Sequence, residues 1–354
     1  MGDGNEAART PVEQAVATLN PGYFALVMGT GIISVSIHNY DVPAVSLPLF
    51  AIAAVGWVVL VVLHCWRATR YWTLLRADFT DPRRGFGFFT FVAATDVIGT
   101  RCALEGFHTL AVVLLVIGAL AWFALGYVVP WTAVLNPSIR PALTGANGSW
   151  FIWVVASQSV AVLTASLEPT IHAGRHVFAL VAVFSWAVGA FLYAGVGVLV
   201  IARLLLYPLR PIDFTPVYWV AMGATAITVL AGARIVQMAN APMVSATRGL
   251  IAGSSVMFWA FGTWLVPVLC AAAWWRHITH RIPLVYDATM WSIIFPLGMY
   301  AVASYYIGHV DRLPIVRIIG DIMAWVALTA WAIVFVAMVW HLVDTLVRQP
   351  AHTG

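Results

Sequence analysis

The chain has 354 residues, of which 62% are apolar and only 9% are charged, and its net charge is +4. A soluble domain carries about 25% charged residues, so this composition excludes a water-soluble globular fold. Apolar runs of about 17 to 26 residues recur throughout, the length that a helix needs to cross a bilayer. The alternating segments of roughly 10 residues that build an outer-membrane barrel are not seen, and we predict an all-α integral membrane protein.

Ten transmembrane helices are predicted along the chain. They fall at residues 22–38, 45–66, 86–104, 109–129, 149–166, 177–202, 217–239, 250–275, 289–309 and 318–343. Residues 20–346 are predicted to form one ten-helix transmembrane pore domain between two short cytoplasmic tails, 1–19 and 347–354. The first of these tails is polar and acidic, and it shows no cleavable signal peptide.

The basic residues orient the chain in the membrane. All 18 are arginines, and an even number of spans places both termini on one side. If that side is the cytoplasm, it receives 12 arginines and the other side receives 6. Positive charge favours cytoplasmic loops, so we expect both termini in the cytoplasm of a multi-pass plasma-membrane protein. The net positive charge is then explained by the arginines of the cytoplasmic loops, and it gives no support to nucleic-acid binding.

A short pattern begins five of the ten predicted helices. An aromatic pair is followed, five positions after its second member, by a small residue or Pro, and in four copies by a hydroxyl at the sixth position. The pairs are Tyr23-Phe24, Phe88-Phe89, Trp150-Phe151, Tyr218-Trp219 and Met290-Trp291, where Met replaces the first aromatic. The fifth positions are Gly29, Ala94, Ala156, Ala224 and Pro296, and the sixth are Thr30, Thr95, Ser157, Thr225 and Leu297.

Five evenly spaced copies indicate one structural unit repeated five times. Each unit crosses the membrane twice, so the five patterned helices run in the same direction. Parallel repeats about an axis along the membrane normal are known in transporters. We predict an inner ring of odd-numbered helices around a central pore and an outer ring of even-numbered helices facing lipid.

The shared offsets suggest that the units face a common polar space. We expect Gly29, Thr30, Ala94, Thr95, Ser157 and Thr225 to line the pore. The alternative is that the small residues only pack helices closely and that the hydroxyls bond to their own backbone. The aromatic residues Tyr23, Trp150 and Tyr218 are interpreted as members of the interfacial belt.

Charged groups inside predicted spans usually face the interior of a bundle or a water-filled cavity. Arg101 and Glu105 are four residues apart and can pair on one helix face, whereas Arg234 has no acidic neighbour on its helix. We expect Arg101 and Arg234 to attract anions near the outer mouth, with a structural ion pair as the alternative for Arg101. Asp96 is interpreted as structural, with proton coupling as the alternative.

The ninth helix contains a predicted kink. Pro296 removes a backbone hydrogen bond, Gly298 loosens the same turn, and the bulky Phe295 precedes them. A ring at a kink beside a narrow axis can plug a pore, although ordinary packing is the simpler explanation of any single Phe. Phe295 and the sixth-position hydroxyls lie about 200° apart on a regular helix, so both sets can face the axis only if the kink rotates Phe295.

Neither a metal site nor a cofactor is expected. Cys65, Cys102 and Cys270 are scattered without metal or disulfide spacing. The pairs His172 with His176 and His277 with His280 have no third ligand nearby.

Several segments together resemble the tellurite-resistance/dicarboxylate transporter family, which includes the plant slow-type anion channels. The segments are NPGYFALVMGTGIISV (20–35), GSWFIWVVASQSVAVL (148–163), PVYWVAMGATAITVLAGAR (216–234), FWAFGTWLVPVL (258–269) and MWSIIFPLGMYAVASYY (290–306). The resemblance implies five hairpins around a central pore in a homotrimer. It also implies a pore-blocking Phe on the ninth helix, which corresponds to Phe295, with Pro296 and Gly298 completing the gate.

Members of this family move chloride, nitrate, sulfite, malate or related anions. The first functional hypothesis is therefore a passive channel or uniporter for small inorganic or carboxylate anions. The alternative is a proton-coupled carrier of a C4-dicarboxylate or of sulfite, with Asp96 as the coupling group. An enzyme would need a convergent catalytic group or a metal cluster, and the sequence shows neither.

Overall fold

The computed structural model describes residues 10–135, 141–171, 174–239, 241–310 and 312–345. This part of the chain is helical and contains no strand, which confirms the predicted all-α class. Residues 1–9 of the first predicted tail, all of the second and His172 lie outside the described residues. The α-helices are α1 (Pro11–Ala17), α2 (Ala25–His38), α3 (Pro43–Arg70), α4 (Trp72–Thr80), α5 (Phe89–Leu104), α6 (His108–Val134), α7 (Phe151–Leu167), α8 (Arg175–Leu206), α9 (Val220–Val236), α10 (Pro242–Trp274), α11 (Trp291–Val310) and α12 (Pro314–Val343).

Ten of these helices are long and apolar enough to cross a membrane, as the sequence predicts. They are α2, α3 and α5 to α12; α1 and α4 are too short. The largest boundary difference is at α10, which begins at Pro242 where residue 250 is predicted. Proline is favoured in the first turn of a helix, so α10 extends through the polar segment that precedes its apolar run.

The ten spans separate into an inner and an outer set. In α2, α5, α7, α9 and α11, between 72% and 89% of the most apolar stretch is buried, against 11% to 33% in the other five. The inner helices contact one another in that order and α11 packs on α2, which closes the ring. Each outer helix packs on its own inner helix and on the next one around the ring. The predicted inner and outer rings are therefore confirmed.

The aromatic pairs mark the place where a 3₁₀ turn becomes an α-helix. Such a turn precedes each inner helix, at Pro21–Phe24, Gly85–Phe88, Gly148–Trp150, Pro216–Trp219 and Ala288–Met290. The interfacial-belt interpretation is wrong for Trp150 and Tyr218, which are buried within the protein. Trp150 donates its indole N–H to the Pro82 carbonyl, and Tyr218 stacks on Phe214. Because these rings hold the starts of α7 and α9 against neighbouring segments, they are packing residues.

A ring of five tryptophans ties the outer helices to the inner ones. Each outer helix supplies one indole N–H, which donates to the inner helix of the next repeat over 2.8 to 3.1 Å. The pairs are Trp57 with Thr95 Oγ1, Trp122 with Ser157 Oγ, Trp186 with the Thr228 carbonyl, Trp259 with Ser304 Oγ and Trp331 with Thr30 Oγ1. The last pair joins α12 to α2 and closes the ring between the first and last repeats.

A buried ion network fixes the loop before α5. Asp78 on α4 is paired with Arg67 at 2.8 Å and with Arg84 at 3.1 Å. Arg67 also donates to the carbonyl of Ala17 at the end of α1. Arg67 and Asp78 are both buried, so these two charges stabilise the junction of α1, α3 and α4 and do not meet solvent.

Replacing Trp122 with Phe should lower the free energy of unfolding, because it removes the indole N–H that donates to Ser157. Hydrogen bonds between membrane helices average about 0.6 kcal/mol and reach about 1.7 kcal/mol, and we expect a loss in that range. Thermal or denaturant unfolding of the detergent-solubilised protein measures it. Trp131→Phe is the matched control, since Trp131 lies on the same helix and is 71% exposed. Equal stability of the two variants would contradict the role of the ring.

Candidate functional site

Two cavities lie on the axis of the inner ring. The first, here called the vestibule, is at the end of the bundle where the inner helices begin. Every repeat contributes to it, through Asn20, Gly87, Asn147, Thr215 and Ser292 among others. The second, the narrow cavity, is much smaller and lies between the second halves of the inner helices. Its lining includes Ile32, Asp96, Ser159, Arg234 and Met299.

Phe295 lies between the two cavities. Ser292 lines the vestibule, while Met299, Val302 and Tyr306 line the narrow cavity. These residues form a stripe along one face of α11, and Phe295 lies on the same stripe. It is three residues after Ser292 and four before Met299, and a helix turns about 100° per residue. Its side chain is 1% exposed and lines neither cavity. Phe295 therefore lies on the face of α11 that lines both cavities, and its role as the gate stays a prediction.

The residues at the corresponding position of the other four inner helices are Met28, Ala93, Val155 and Gly223. Each lies on the same helix face as the cavity-lining residues one turn later, by the same 100° rotation. All four are buried. Together with Phe295 they form a layer without polar side chains between the vestibule and the narrow cavity. We call it the apolar layer.

Close packing fixes the segment of α11 around Pro296 against its neighbours. A methyl group at Gly223 would lie 2.8 Å from Cγ of Pro296, and one at Gly298 would lie 2.8 Å from the side chains of Ile32 and Ile33. Only glycine leaves room for such an approach. Pro296 and Gly298 therefore position α11 between α9 and α2, and through that contact they position Phe295.

The predicted ring of pore-lining hydroxyls is wrong. Thr30, Thr95 and Ser157 accept hydrogen bonds from tryptophans of the outer helices. Thr225 donates to the Met222 carbonyl, and its hydroxyl lies against Gly262 of α10. On each helix, the hydroxyl residue points about 145° to 170° away from the mean direction of the cavity-lining residues. Neither Gly29 nor Ala94 lines a cavity; both are buried, and Gly29 packs on Ile294.

Asp96 lies at the wall of the narrow cavity, where α5, α6 and α7 meet. Ser159 Oγ donates to its Oδ2 at 2.7 Å, and its Oδ1 lies against Gly118 without a hydrogen-bond partner. The residue is 1% exposed. The structural interpretation accounts for Oδ2, but the contact of Asp96 with the cavity keeps the proton-coupling alternative open.

Arg234 lines the narrow cavity near its other end. Its Nη2 donates to the hydroxyl of Tyr306 at 2.6 Å, and its guanidinium carbon is 4.1 Å from the centre of the same ring. The Tyr306 hydroxyl in turn donates to Oδ1 of Asn39. Nε of Arg234 is buried without a hydrogen-bond partner. Among the described residues it has no acidic partner, so a positive charge borders the cavity.

Arg101 does not line either cavity, and the prediction that it attracts anions at the mouth is wrong. It is fully buried and pairs with Glu105 at 2.5 Å. Its Nε and Nη2 donate to the hydroxyls of Ser34 and Ser46. These two serines also bond to each other's carbonyls across α2 and α3. The structural ion pair, which the sequence allows as the alternative, is the arrangement that the structure shows.

The histidine pairs do not gather a third ligand within the described residues, where no group of three His, Cys, Asp or Glu side chains could hold a metal. The rings of His277 and His280 instead contact the carbonyls of Ile282 and Trp275.

The vestibule is the part of the site that the sequence analysis misses. Its signal is present in the chain, because Asn, Thr or Asp precedes four of the five 3₁₀ turns, at Asn20, Asn147, Thr215 and Asp287. Such residues are favoured at helix N-termini. Three of them accept a backbone N–H two residues later.

Comparison with known proteins agrees with this architecture. A family model described as voltage-dependent anion channel, SLAC1, matches residues 18–339. The membrane protein Rv1735c of Mycobacterium tuberculosis is 64% identical over 159 residues, which are 45% of this chain and 81% of the relative. Two proteins of Methanocaldococcus jannaschii named as uncharacterized transporters are similar over most of their length. MJ0576 is 26% identical, and the matched region covers 89% of this chain and 91% of MJ0576. MJ0762 is 24% identical, and the matched region covers 92% of this chain and 95% of MJ0762.

The family match covers nearly the whole transmembrane region, and the ten apolar helices, the closed inner ring and the two axial cavities are consistent with it. The chain therefore belongs to the SLAC1 family of anion-transport proteins and is a multi-pass membrane protein.

Proposed function

We propose that this protein is a passive channel or uniporter for small inorganic or carboxylate anions, closed at the apolar layer by Phe295. The observation that carries the proposal is that Phe295 shares a helix face with Ser292, which lines the polar vestibule, and with Met299, which lines the narrow cavity. An anion that leaves one cavity for the other must pass this layer. The protein is further proposed to form a homotrimer in the plasma membrane with both termini in the cytoplasm.

The layer supports closure by exclusion of water. Hydrophobic constrictions gate channels by dewetting, and the apolar layer offers no polar side chain to replace the hydration shell of an anion. Ala93 and Gly223 are small, so most of the side-chain bulk in the layer comes from Met28, Val155 and Phe295. Phe295 is the largest of the three and precedes Pro296, which packs on Gly223. Movement or loss of its ring would therefore widen the path most.

The charges beyond the layer support anion passage without tight binding. Arg234 borders the narrow cavity, but a hydrogen bond to Tyr306 and stacking on the same ring satisfy part of its guanidinium. Conduction requires that an ion can enter a site and also leave it. One partly satisfied arginine attracts an anion while holding it less firmly than a cluster of free arginines. Arg234 is proposed to act in this way.

Phe295→Ala should increase the flux of chloride or nitrate, because truncation removes bulk from the apolar layer and leaves its other residues unchanged. We expect a rise of at least about tenfold, which corresponds to a barrier lowered by about 1.4 kcal/mol. Flux into liposomes containing the purified protein measures it.

Ile294→Ala is the matched control for Phe295→Ala. Ile294 is the adjacent residue and is also buried, but it packs on Gly29 rather than on the axis. Its truncation should leave flux close to wild type. A folded Phe295→Ala protein with flux no higher than that of wild type would show that Phe295 does not close the pathway.

A second candidate function is proton-coupled transport of a dicarboxylate or of sulfite. The specific observation in its favour is the position of Asp96 at the narrow cavity, with Oδ1 unpartnered. A carboxylate beside an anion path raises the barrier at that point, whereas a protonated one does not. Of the other titratable groups at this cavity, Arg234 and Tyr306 bond to each other. Ser159 and Gly118, which contact the carboxyl, do not titrate.

Asp96→Asn separates the two functions. Asn keeps the shape of the side chain and can still accept from Ser159, but it carries no titratable proton. In a passive channel the variant should conduct at least as well as wild type, because no negative charge remains beside the path, and a pH gradient should not drive uptake. The measurement is anion uptake into liposomes with and without an imposed pH gradient.

Asp41→Asn is the control for this test, since Asp41 is an exposed acid on the same face of the membrane as the ends of the inner helices and lines neither cavity. Its φ of 56° is one that Asn tolerates. If Asp96→Asn folds and abolishes gradient-driven uptake while Asp41→Asn retains it, the proton-coupled carrier replaces the channel.

A further inference from the structure

The vestibule collects the starts of all five inner helices. Because the repeats are parallel, α2, α5, α7, α9 and α11 all begin at this cavity, each through its 3₁₀ turn. The N-terminus of a helix carries a partial positive charge of about half an elementary charge, and its first N–H groups have no partner within the helix. Five such ends around one cavity produce a positive potential in it.

A buried hydroxyl at this cavity has no partner. Ser149, in the turn before α7, lines the vestibule and is 6% exposed. Its backbone N–H donates to Asn147 Oδ1, but its Oγ has no hydrogen-bond partner among the described residues. Buried hydroxyls are normally bonded, and this one can donate to a bound acceptor. It is an observation independent of the helix ends, and it indicates a ligand.

The side chains at the vestibule add positive charge. Arg83 lines it and forms no ion pair with a described residue, although its backbone N–H donates to Asp81. Arg84 also lines the vestibule but is paired with Asp78.

Three nearby acids offset part of this potential. Asp81 lies beside Arg83 and accepts its backbone N–H. Asp213 borders another cavity, which also has Arg83 in its lining. The hydrogen bond from Arg210 lowers the pKa of Asp213 below its ordinary value. Both members of this ion pair are therefore charged, and together they add no net charge. Asp287 caps the turn before α11 through Thr289 and offsets the positive end of that helix. The guanidinium of Arg83, which has no ion-pair partner among the described residues, and the helix ends without an acidic cap favour a negative ion in the vestibule.

We propose that the vestibule is a binding site for a small monovalent inorganic anion, which receives a hydrogen bond from Ser149 and is attracted by Arg83 and the helix ends that no acid caps. The proposal rests on the proposed passage of anions through this pathway and adds the place where the anion waits before the apolar layer. Hydrogen-bond donors there replace part of the hydration shell of the anion. No second site of this kind is expected at the opposite end, where the helices present their negative termini.

The test compares the two sides of the membrane. Nitrate currents through the full-length protein are measured in excised patches, with nitrate varied on one side at a time, in wild type and in Phe295→Ala. An N-terminal tag identifies the side on which the inner helices begin. Current should saturate with nitrate added on that side and depend more weakly on nitrate added on the other.

Ser149→Ala should raise the half-saturating nitrate concentration on the vestibule side about tenfold, the effect of losing one hydrogen bond to a charged group. Because Ser149 Oγ has no protein partner, the change should not lower the stability of the fold. Arg83→Gln should raise the same concentration several-fold at low salt and less at high salt, because the field of an exposed charge is screened. Arg76→Gln is the matched control, since Arg76 is exposed on α4 and lines neither cavity.

Unchanged half-saturation in both Ser149→Ala and Arg83→Gln would overturn the vestibule site while leaving the proposed channel intact. Absence of current in both wild type and Phe295→Ala would instead count against the channel. The site is then tested by nitrate-dependent thermal stabilisation of the solubilised protein. Stabilisation that Ser149→Ala loses and Arg76→Gln keeps supports the site, and equal stabilisation of wild type and Ser149→Ala overturns it.

Discussion

The parallel orientation of the five inner helices is the constraint on which the rest of this structure depends. Each repeat crosses the membrane twice, so every inner helix enters at the same end and equivalent residues meet at equivalent depth. The tryptophan ring follows directly, because each outer helix meets the next inner helix in nearly the same geometry. The same orientation places five positive helix ends at the vestibule and five negative ends at the far side.

Close approach of the inner helices depends on small residues. In a bilayer, helices associate through packing and interhelical hydrogen bonds, and small residues at the interface allow it. Gly223 receives Pro296, and Gly298 receives Ile33. The segment of α11 around Pro296 is thus packed on both sides, which holds Phe295 in the apolar layer. The hydrogen bonds from the tryptophan indoles lie on the other face of the inner helices. Each inner helix therefore packs against its neighbours in the ring and is hydrogen-bonded to an outer helix.

The sequence was sufficient to predict the ten spans, the five repeats and the two rings, because these depend on apolar length and on periodicity. It was not sufficient to predict which face of each inner helix meets the axis. Thr30 and its counterparts lie about 200° from the position of Phe295 on a regular helix, so only one set could face the axis without a rotated kink. In the structure, the stripe that contains Phe295 lies on the side of the axis, and the hydroxyls lie on the side of the outer helices. The missed signal was one tryptophan near the middle of every outer helix, each of which needs an acceptor.

The two predicted anion-attracting arginines show why counting charges along a sequence does not locate a binding potential. Arg101 and Arg234 lie in the last turns of α5 and α9, where a positive side chain offsets the negative end of its own helix. Arg101 is further neutralised by Glu105 and held by two serine hydroxyls. At the opposite end, helix polarity and Arg83 have the same sign and add. Among the described residues, the direction of the inner helices therefore determines first which end of the axis is positive. Side chains strengthen this helix potential at the vestibule, where Arg83 has the same sign. Arg101 has the opposite sign to its helix end and cancels it.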